Sequence, residues 1–418
     1  MRDRLGAVHA IIVSGDIAYS GGEEEYTHAT TWLKKLCGLL RCPEENVWTV
    51  PGNHDVDRSV ISHSRQIQLL HADLRTGKGS IDERVRICCF DDPEAAVSVF
   101  KSIENYNKFA RPLQCDIGPK TGPKNEKSTD LYWEHRLDLH DGTTLRLRGM
   151  TSTLASDESD NDGDNRLVLG TVQATIPADD GTVNIAVCHH PPDWLLDRDA
   201  IEDRFRNRAK VQLLGHKHIA RYYTVGDSLR VSAGALHPDR SEAGWTPSYN
   251  IIALQVDSTE KERHLVVTLY PRIWSEADLA FKGEAAAGGG DAIPFRLGLA
   301  MLPKPADRPE RSDKAPETPA LENEISVLTA ENGQRETVQF VNPARKLIYR
   351  FLSLPYVVRL EIARELDLIR EEDARLSERD LYPLYFARAK ENHKLERLWR
   401  DVESRHGSKD TENPFAGQ

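Results

Sequence analysis

No run of apolar residues in this 418-residue sequence is long enough to span a bilayer. The opening Met1-Arg-Asp-Arg-Leu-Gly has no signal-peptide pattern. Cysteines are few, and Cys37, Cys42, Cys88, Cys89, Cys115 and Cys188 show neither CxxC nor zinc-finger spacing. They read as free, mostly buried thiols in a reducing, cytoplasmic setting. Positive charge is in deficit, with 55 Lys and Arg against 66 Asp and Glu, a net charge of -11. That excludes a broad electrostatic footprint for nucleic acid, which enters only as a substrate. No internal repeat is present, and the length exceeds what one domain needs.

What is present is a set of strands that stop abruptly at chemistry-bearing residues. Ala10 to Ser14 is a short apolar strand ending at Gly15-Asp16, and Glu23 to Leu40 has helical spacing. Val47 to Val50 is a second strand, halted by Pro51-Gly52 and followed by Asn53-His54-Asp55. Strand, helix, strand with short joins is a βαβ unit. Val183 to Cys188 ends in His189-His-Pro-Pro192, and Val211 to Leu214 ends in Gly215-His-Lys-His218. Between them, Val97, Phe100, Ile103, Tyr106 and Phe109 have helical core spacing. Gly118 to Thr129 reads as a polar loop, and Leu131–Leu139 with Thr144–Gly149 reads as a hairpin. His135 and His140 are taken as surface or strand positions. Ser156 to Asp164 is taken as a solvated acidic loop, since EF-hand spacing is absent. Three further strands lie between Leu229 and Tyr270.

Composition changes after Phe281. Residues 286–341 read as a flexible linker, with Pro303 to Glu324 almost free of large apolar residues. Residues 342–405 read as a small helical bundle opened by Asn342-Pro343, with Phe351, Val358, Ile362, Leu398 and Trp399 as its core. The expected organisation is a first domain over 1–285, the linker, and a bundle that behaves as a separate unit.

The four strand ends offer Asp16, Asn53, His54, His189, His216 and His218. One carboxylate, one amide oxygen and several imidazoles suit manganese, iron, zinc or nickel better than calcium. In a two-metal site the ions stand about 3.5–4 Å apart and activate a water for in-line displacement.

With Gly15-Asp16, Gly52-Asn53-His54-Asp55, His189 before the proline pair and Gly215-His216-Lys217-His218 in this order, the sequence resembles the calcineurin-like metallophosphoesterases from Ala10 to about Lys282. The resemblance implies an α/β fold, a four-layer α/β/β/α sandwich, with two metals. Asp16 would bridge them, Asn53, His189 and His216 would complete one, and His218 would serve the other. His54 would stabilise the phosphoryl oxygen or protonate the leaving group, oriented by Asp55. The implied reaction is hydrolysis of a phosphomonoester or phosphodiester. His190 is taken as a structural residue beside the site. His237 is either a substrate contact or an ordinary loop residue.

The family opens with a strand carrying Asp-x-His, and Asp3 and His9 do not have that spacing. The expectation is a start assigned too late or a truncated chain, with loss of one metal as the alternative. Residues 343 to 402 resemble the helical adaptor domains of bacterial conflict systems, called effector-associated or GTPase-associated. That implies docking to a protein partner carrying a similar domain; the alternative is a bundle packed on the first domain. Two functions follow: a metal-dependent phosphoesterase tethered to partners, or a non-enzymatic partner-binding protein on a degenerate phosphoesterase scaffold.

Overall fold

The computed structural model describes residues 6–121, 127–139, 141–160, 167–236, 245–259, 261–283, 291–302, 342–407 and 412–417. His140, His237 and most of the expected linker lie outside these residues. No helix among them is long and apolar enough to cross a membrane.

The first strands are β1 (Ile11–Val13) and β2 (Val47–Thr49), a parallel pair joined by helix α1 (Glu23–Leu40). Five more helices follow: α2 (Arg58–Ser62), α3 (Arg65–Thr76), α4 (Ile81–Arg86), α5 (Pro93–Phe100) and α6 (Glu104–Ala110). A hairpin of β3 (Gly118–Thr121) and β4 (Lys127–Asp130) occupies part of the segment expected to be a loop. Its Lys, Thr and Gly residues suit an exposed two-stranded ribbon as well as a turn, so composition alone misled.

A six-stranded sheet contains β5 (Tyr132–Asp138), β6 (Thr144–Met150), β7 (Thr182–Cys188), β8 (Val211–Leu214), β9 (Arg221–Val225) and β10 (Ser228–Ser232). Its order is β5-β6-β7-β8-β10-β9. Strands β6, β7, β8 and β10 run parallel, so their carboxyl ends share one edge. A second sheet is built from β11 (Ser248–Ser258), β12 (Arg263–Ser275), β13 (Ala280–Gly283) and β14 (Ile293–Leu299). Strand β14 falls inside the expected linker, and this corrects the domain boundary. Ile293, Phe295, Leu297 and Leu299 alternate at period two and pair along β12. The Gly-rich run before them hid that signal.

Alternation sorts side chains between two cores. Val183, Ile185 and Val187 face the larger core with Leu213, Leu265, Val267 and residues of α1 to α6. Ala186, Cys188 and Leu214 face the opposite side, where they meet Ala174 of α7 (Thr171–Ala174) and Ile201 and Phe205 of α8 (Arg198–Arg208). Helices, sheet, sheet and helices thus form the four-layer α/β/β/α sandwich.

The C-terminal bundle comprises α9 (Pro343–Ser353), α10 (Tyr356–Glu365), α11 (Glu378–Glu391) and α12 (Leu395–His406). Asn342 caps α9 by accepting from Arg345 N, with Pro343 in the first turn. Phe351, Ile362, Leu398 and Trp399 are buried in a core of its own, with Val358 against it. The bundle nevertheless docks on the first domain. Arg345 is buried and inserts beneath β2, donating to Glu45 O at 2.5 Å and Leu113 O at 2.7 Å. Its third contact is His135 Nδ1 at 2.6 Å. Burial and the guanidinium push the His135 imidazole well below its usual range, so the neutral ring accepts. Of the surface or strand positions expected for His135, it takes a buried strand position on β5, between Trp48 and Trp133. Tyr349 donates to Glu44 at 2.6 Å, and Arg379 of α11 donates to Pro119 O at 3.0 Å.

Arg345→Ala would leave two carbonyls and the His135 acceptor buried without that donor. Each buried polar group stranded in this way costs about 1–3 kcal/mol, so with three of them the variant should lose at least about 3 kcal/mol of stability in urea denaturation. An unchanged midpoint would contradict the docked arrangement.

Candidate metal centre

Each functional side chain sits where a parallel strand stops. Asp16 follows β1, and Asn53 to Asp55 form a single turn after β2. His189 and His190 follow β7, while His216 and His218 follow β8. Asp16, His216 and His218 adopt left-handed backbone, with φ of 54°, 70° and 54°. Non-glycine residues pay for that conformation, and such strain gathers at functional sites. Two glycines make the approach possible. A Cβ on Gly15 would collide with the His189 ring, and one on Gly52 with the Asp16 carboxylate.

Asn53 Oδ1 is the hub. His189 Nε2 lies 3.2 Å from it, His190 Nε2 3.2 Å and His216 Nδ1 3.1 Å. Asp16 Oδ2 is 3.2 Å from His189 Nε2. An amide oxygen has two lone pairs, so it cannot accept from three imidazoles. The His189 tautomer sharpens the point. Its Nδ1 is 2.7 Å from Ser14 O, a carbonyl that only accepts, so Nδ1 carries the proton. In a neutral ring, Nε2 is then a lone pair facing two other acceptors. Either a proton on Nε2 or a cation among the three groups resolves that conflict.

The electrostatics agree. Burial opposes ionisation of Asp16, yet His189 and the His54 N–H hold its carboxyl well below the usual range. Burial opposes the charged form of His189, but Asp16 raises its pKa above the ordinary value. Burial and then His189 push His190 far down, and they take His216 to about 3. Neutral His190 and His216 keep their lone pairs for a ligand. Among the described residues, His189, His190 and His216 form the group able to hold a metal, with donor atoms within 4.8 Å of one another. With Asn53 and Asp16 the donor chemistry fits a transition metal.

Two expectations need correction. Asp55 does not orient His54. Its buried carboxylate accepts from Ile17 N at 3.1 Å, Ala18 N at 2.9 Å, Gly52 N at 2.8 Å and Tyr26 OH at 2.9 Å. Burial, with the charge of Asp16, raises it to about 6 despite those donors. Asp55 thus ties the loop after β1 to the loop after β2. His54 Nδ1 instead meets Tyr19 O at 2.8 Å. His190 also turns towards the site, because Ser152 Oγ holds its Nδ1 at 2.7 Å. Both histidines lie past the last residue of β7, where strand alternation no longer separates neighbours. His218 lies on the same turn as His216, half-buried and outside the three-histidine group. Trp194, not singled out from sequence, packs edge-on to His216 at 4.1 Å between ring centroids. The Pro191-Pro192 pair just before it was the available signal.

A family profile described as calcineurin-like phosphoesterase matches residues 3–220, and one described as GTPase-associated adaptor domain matches residues 343–404. No curated protein matches. Solved structures of a single and a double mutant of Vps29 from Entamoeba histolytica are each 12% identical to this chain. Each alignment covers 71% of this chain and 87% of that one, with TM-scores of 0.26 and 0.25. The first profile spans more than half of a chain whose four strand ends meet in one donor cluster. The chain belongs to the calcineurin-like phosphoesterase family and carries a GTPase-associated adaptor domain near its C-terminus.

Proposed function

We propose that this chain is a metal-dependent phosphoesterase whose adaptor domain tethers it to a protein partner. The observation that carries the reading is the crowding of three imidazole nitrogens and the Asp16 carboxylate around Asn53 Oδ1. Asp16, Asn53, His189 and His216 would hold one transition metal, with His190 as a further donor or as the residue that fixes Asn53. His218 would serve a second metal. Manganese, iron, zinc and nickel all suit the donors. When bound, the metal supplies a deprotonated water at neutral pH and neutralises charge on the phosphoryl oxygens. The substrate is a phosphomonoester or phosphodiester.

His54 is the proposed general acid. Its Nδ1–H is engaged by the Tyr19 carbonyl, so the imidazolium form would give its Nε2 proton to the departing oxygen as the P–O bond breaks, leaving the neutral ring with its proton on Nδ1. Asp55 would act indirectly, by holding the two loops that carry Asp16 and His54. The six cysteines are all free and buried, which supports a reducing, cytoplasmic setting. A partner would meet surface of the adaptor that the first domain leaves exposed, such as Tyr356 and Val357 of α10.

Metal analysis of the purified protein should find close to one bound transition-metal ion per chain, lost in His216→Ala; stoichiometric metal in that variant would sink the assignment. His190→Ala should weaken metal retention about 10–100-fold in a chelator competition, the cost of losing a ligand's support. Unchanged retention would return His190 to a structural role. His54→Ala should lower turnover about 10²–10⁴-fold with metal content intact. Parallel loss of metal and activity would make it a ligand instead.

A further inference from the structure

The segment between β1 and α1 is held by two carboxylates acting on successive amides. Asp55 takes Ile17 N and Ala18 N. Glu25, in the first turn of α1, takes Tyr19 N at 3.1 Å, Ser20 N at 3.2 Å, Ser20 Oγ at 3.3 Å and Gly22 N at 2.7 Å. The bond to Gly22 is an ordinary capping box, in which the third helical residue reaches back to the cap. The other three bonds lie outside the helix and do nothing for its end. What they fix is the turn at Tyr19, whose carbonyl meets His54 Nδ1 at 2.8 Å. The Tyr19 ring is 67% exposed and lies 5.6 Å from the His54 ring, centroid to centroid. The side chain is therefore not what anchors this turn.

We propose that Glu25 is a positioning residue for His54: it braces the Tyr19 turn so that the Tyr19 carbonyl keeps one proton on His54 Nδ1 and Nε2 is the nitrogen that takes up the second proton and gives it to the leaving group. A carbonyl only accepts, so a well-placed one selects a single tautomer of the neutral ring. Without the brace, three backbone and hydroxyl donors lose their acceptor, the carbonyl drifts, and the proton redistributes between the two nitrogens. This task is the one a carboxylate beside His54 would perform, and here Asp55 is committed elsewhere. The inference rests on His54 being the proton donor, but the arrangement can be read without turnover.

The test is the nitrogen-15 spectrum of the His54 ring, assigned by its disappearance in His54→Gln. Wild-type protein should show the proton on Nδ1 in the neutral form. Glu25→Gln should lose that single-tautomer pattern. Glu25→Asp keeps the negative charge at the helix N-terminus but withdraws the carboxylate by one methylene, and it should show the same loss should the first variant fold poorly. Tyr19→Ala keeps the carbonyl and should keep the pattern. Turnover of an alkyl phosphoester, which needs a proton for its leaving group, should fall on the order of tenfold more in Glu25→Gln than turnover of a p-nitrophenyl ester, which does not. A protein inactive on both esters that still shows the tautomer change would refute the phosphoesterase reading and leave the brace standing. A proton on Nε2 in the wild type, or an unchanged pattern in both Glu25 variants, would overturn the inference and leave Glu25 a helix cap.

Discussion

Too many acceptors share one point in this molecule. The Asn53 amide oxygen and the Asp16 carboxylate each lie 3.2 Å from His189 Nε2, which in a neutral ring is a third acceptor. Asn53 and His189 are buried and Asp16 is largely so, and either a proton on His189 Nε2 or a cation must stand between them. A buried cluster of this kind is costly unless a cation neutralises it. The left-handed backbone at Asp16 and His216 belongs to the same constraint, because it turns side chains inward immediately past a strand end. Strain of this sort persists only where the surrounding structure over-determines it. Here the surround is Asp55, with three backbone donors from two loops and the Tyr26 hydroxyl from α1, and the parallel strands that end together.

Strand β2 links this centre to the C-terminal bundle. Its carboxyl end leads to Asn53 and His54. Its Trp48 ring packs over His135 and lies 5.5 Å from the Arg345 guanidinium carbon. Thr49 O accepts from Trp133 Nε1 at 2.7 Å and from Tyr106 OH at 3.0 Å. The adaptor therefore contacts the layer that carries the site, from the side away from the metal donors' loops. A bundle with its own apolar core has also become part of the first domain's packing, through the buried Arg345 together with Tyr349 and Arg379.

The site was legible in the sequence as far as residue type and strand punctuation reach. Asp16, Asn53, His189 and His216 each follow an apolar run that stops, and all four converge. Side-chain direction beyond a strand end follows no period, which is why His190 and Asp55 were misread. For His135 the signal was present: it shares a face of β5 with Trp133, and alternation alone puts both inward. Of the two positions read for it, surface or strand, the strand is the one found. Strand β14 alternates equally well but follows a Gly-rich run that reads as the start of a linker. The Tyr19 carbonyl beside His54 has no side-chain signature at all, since a backbone group does the work.

The account stands on a cation among Asp16, Asn53, His189 and His216. Anomalous diffraction from a manganese-soaked crystal tests it most directly. A peak within bonding distance of Asn53 Oδ1, Asp16 Oδ2, His189 Nε2 and His216 Nδ1 is the predicted result. A well-ordered site with no anomalous peak there, and His189 bonded directly to Asp16 as an imidazolium, would contradict it.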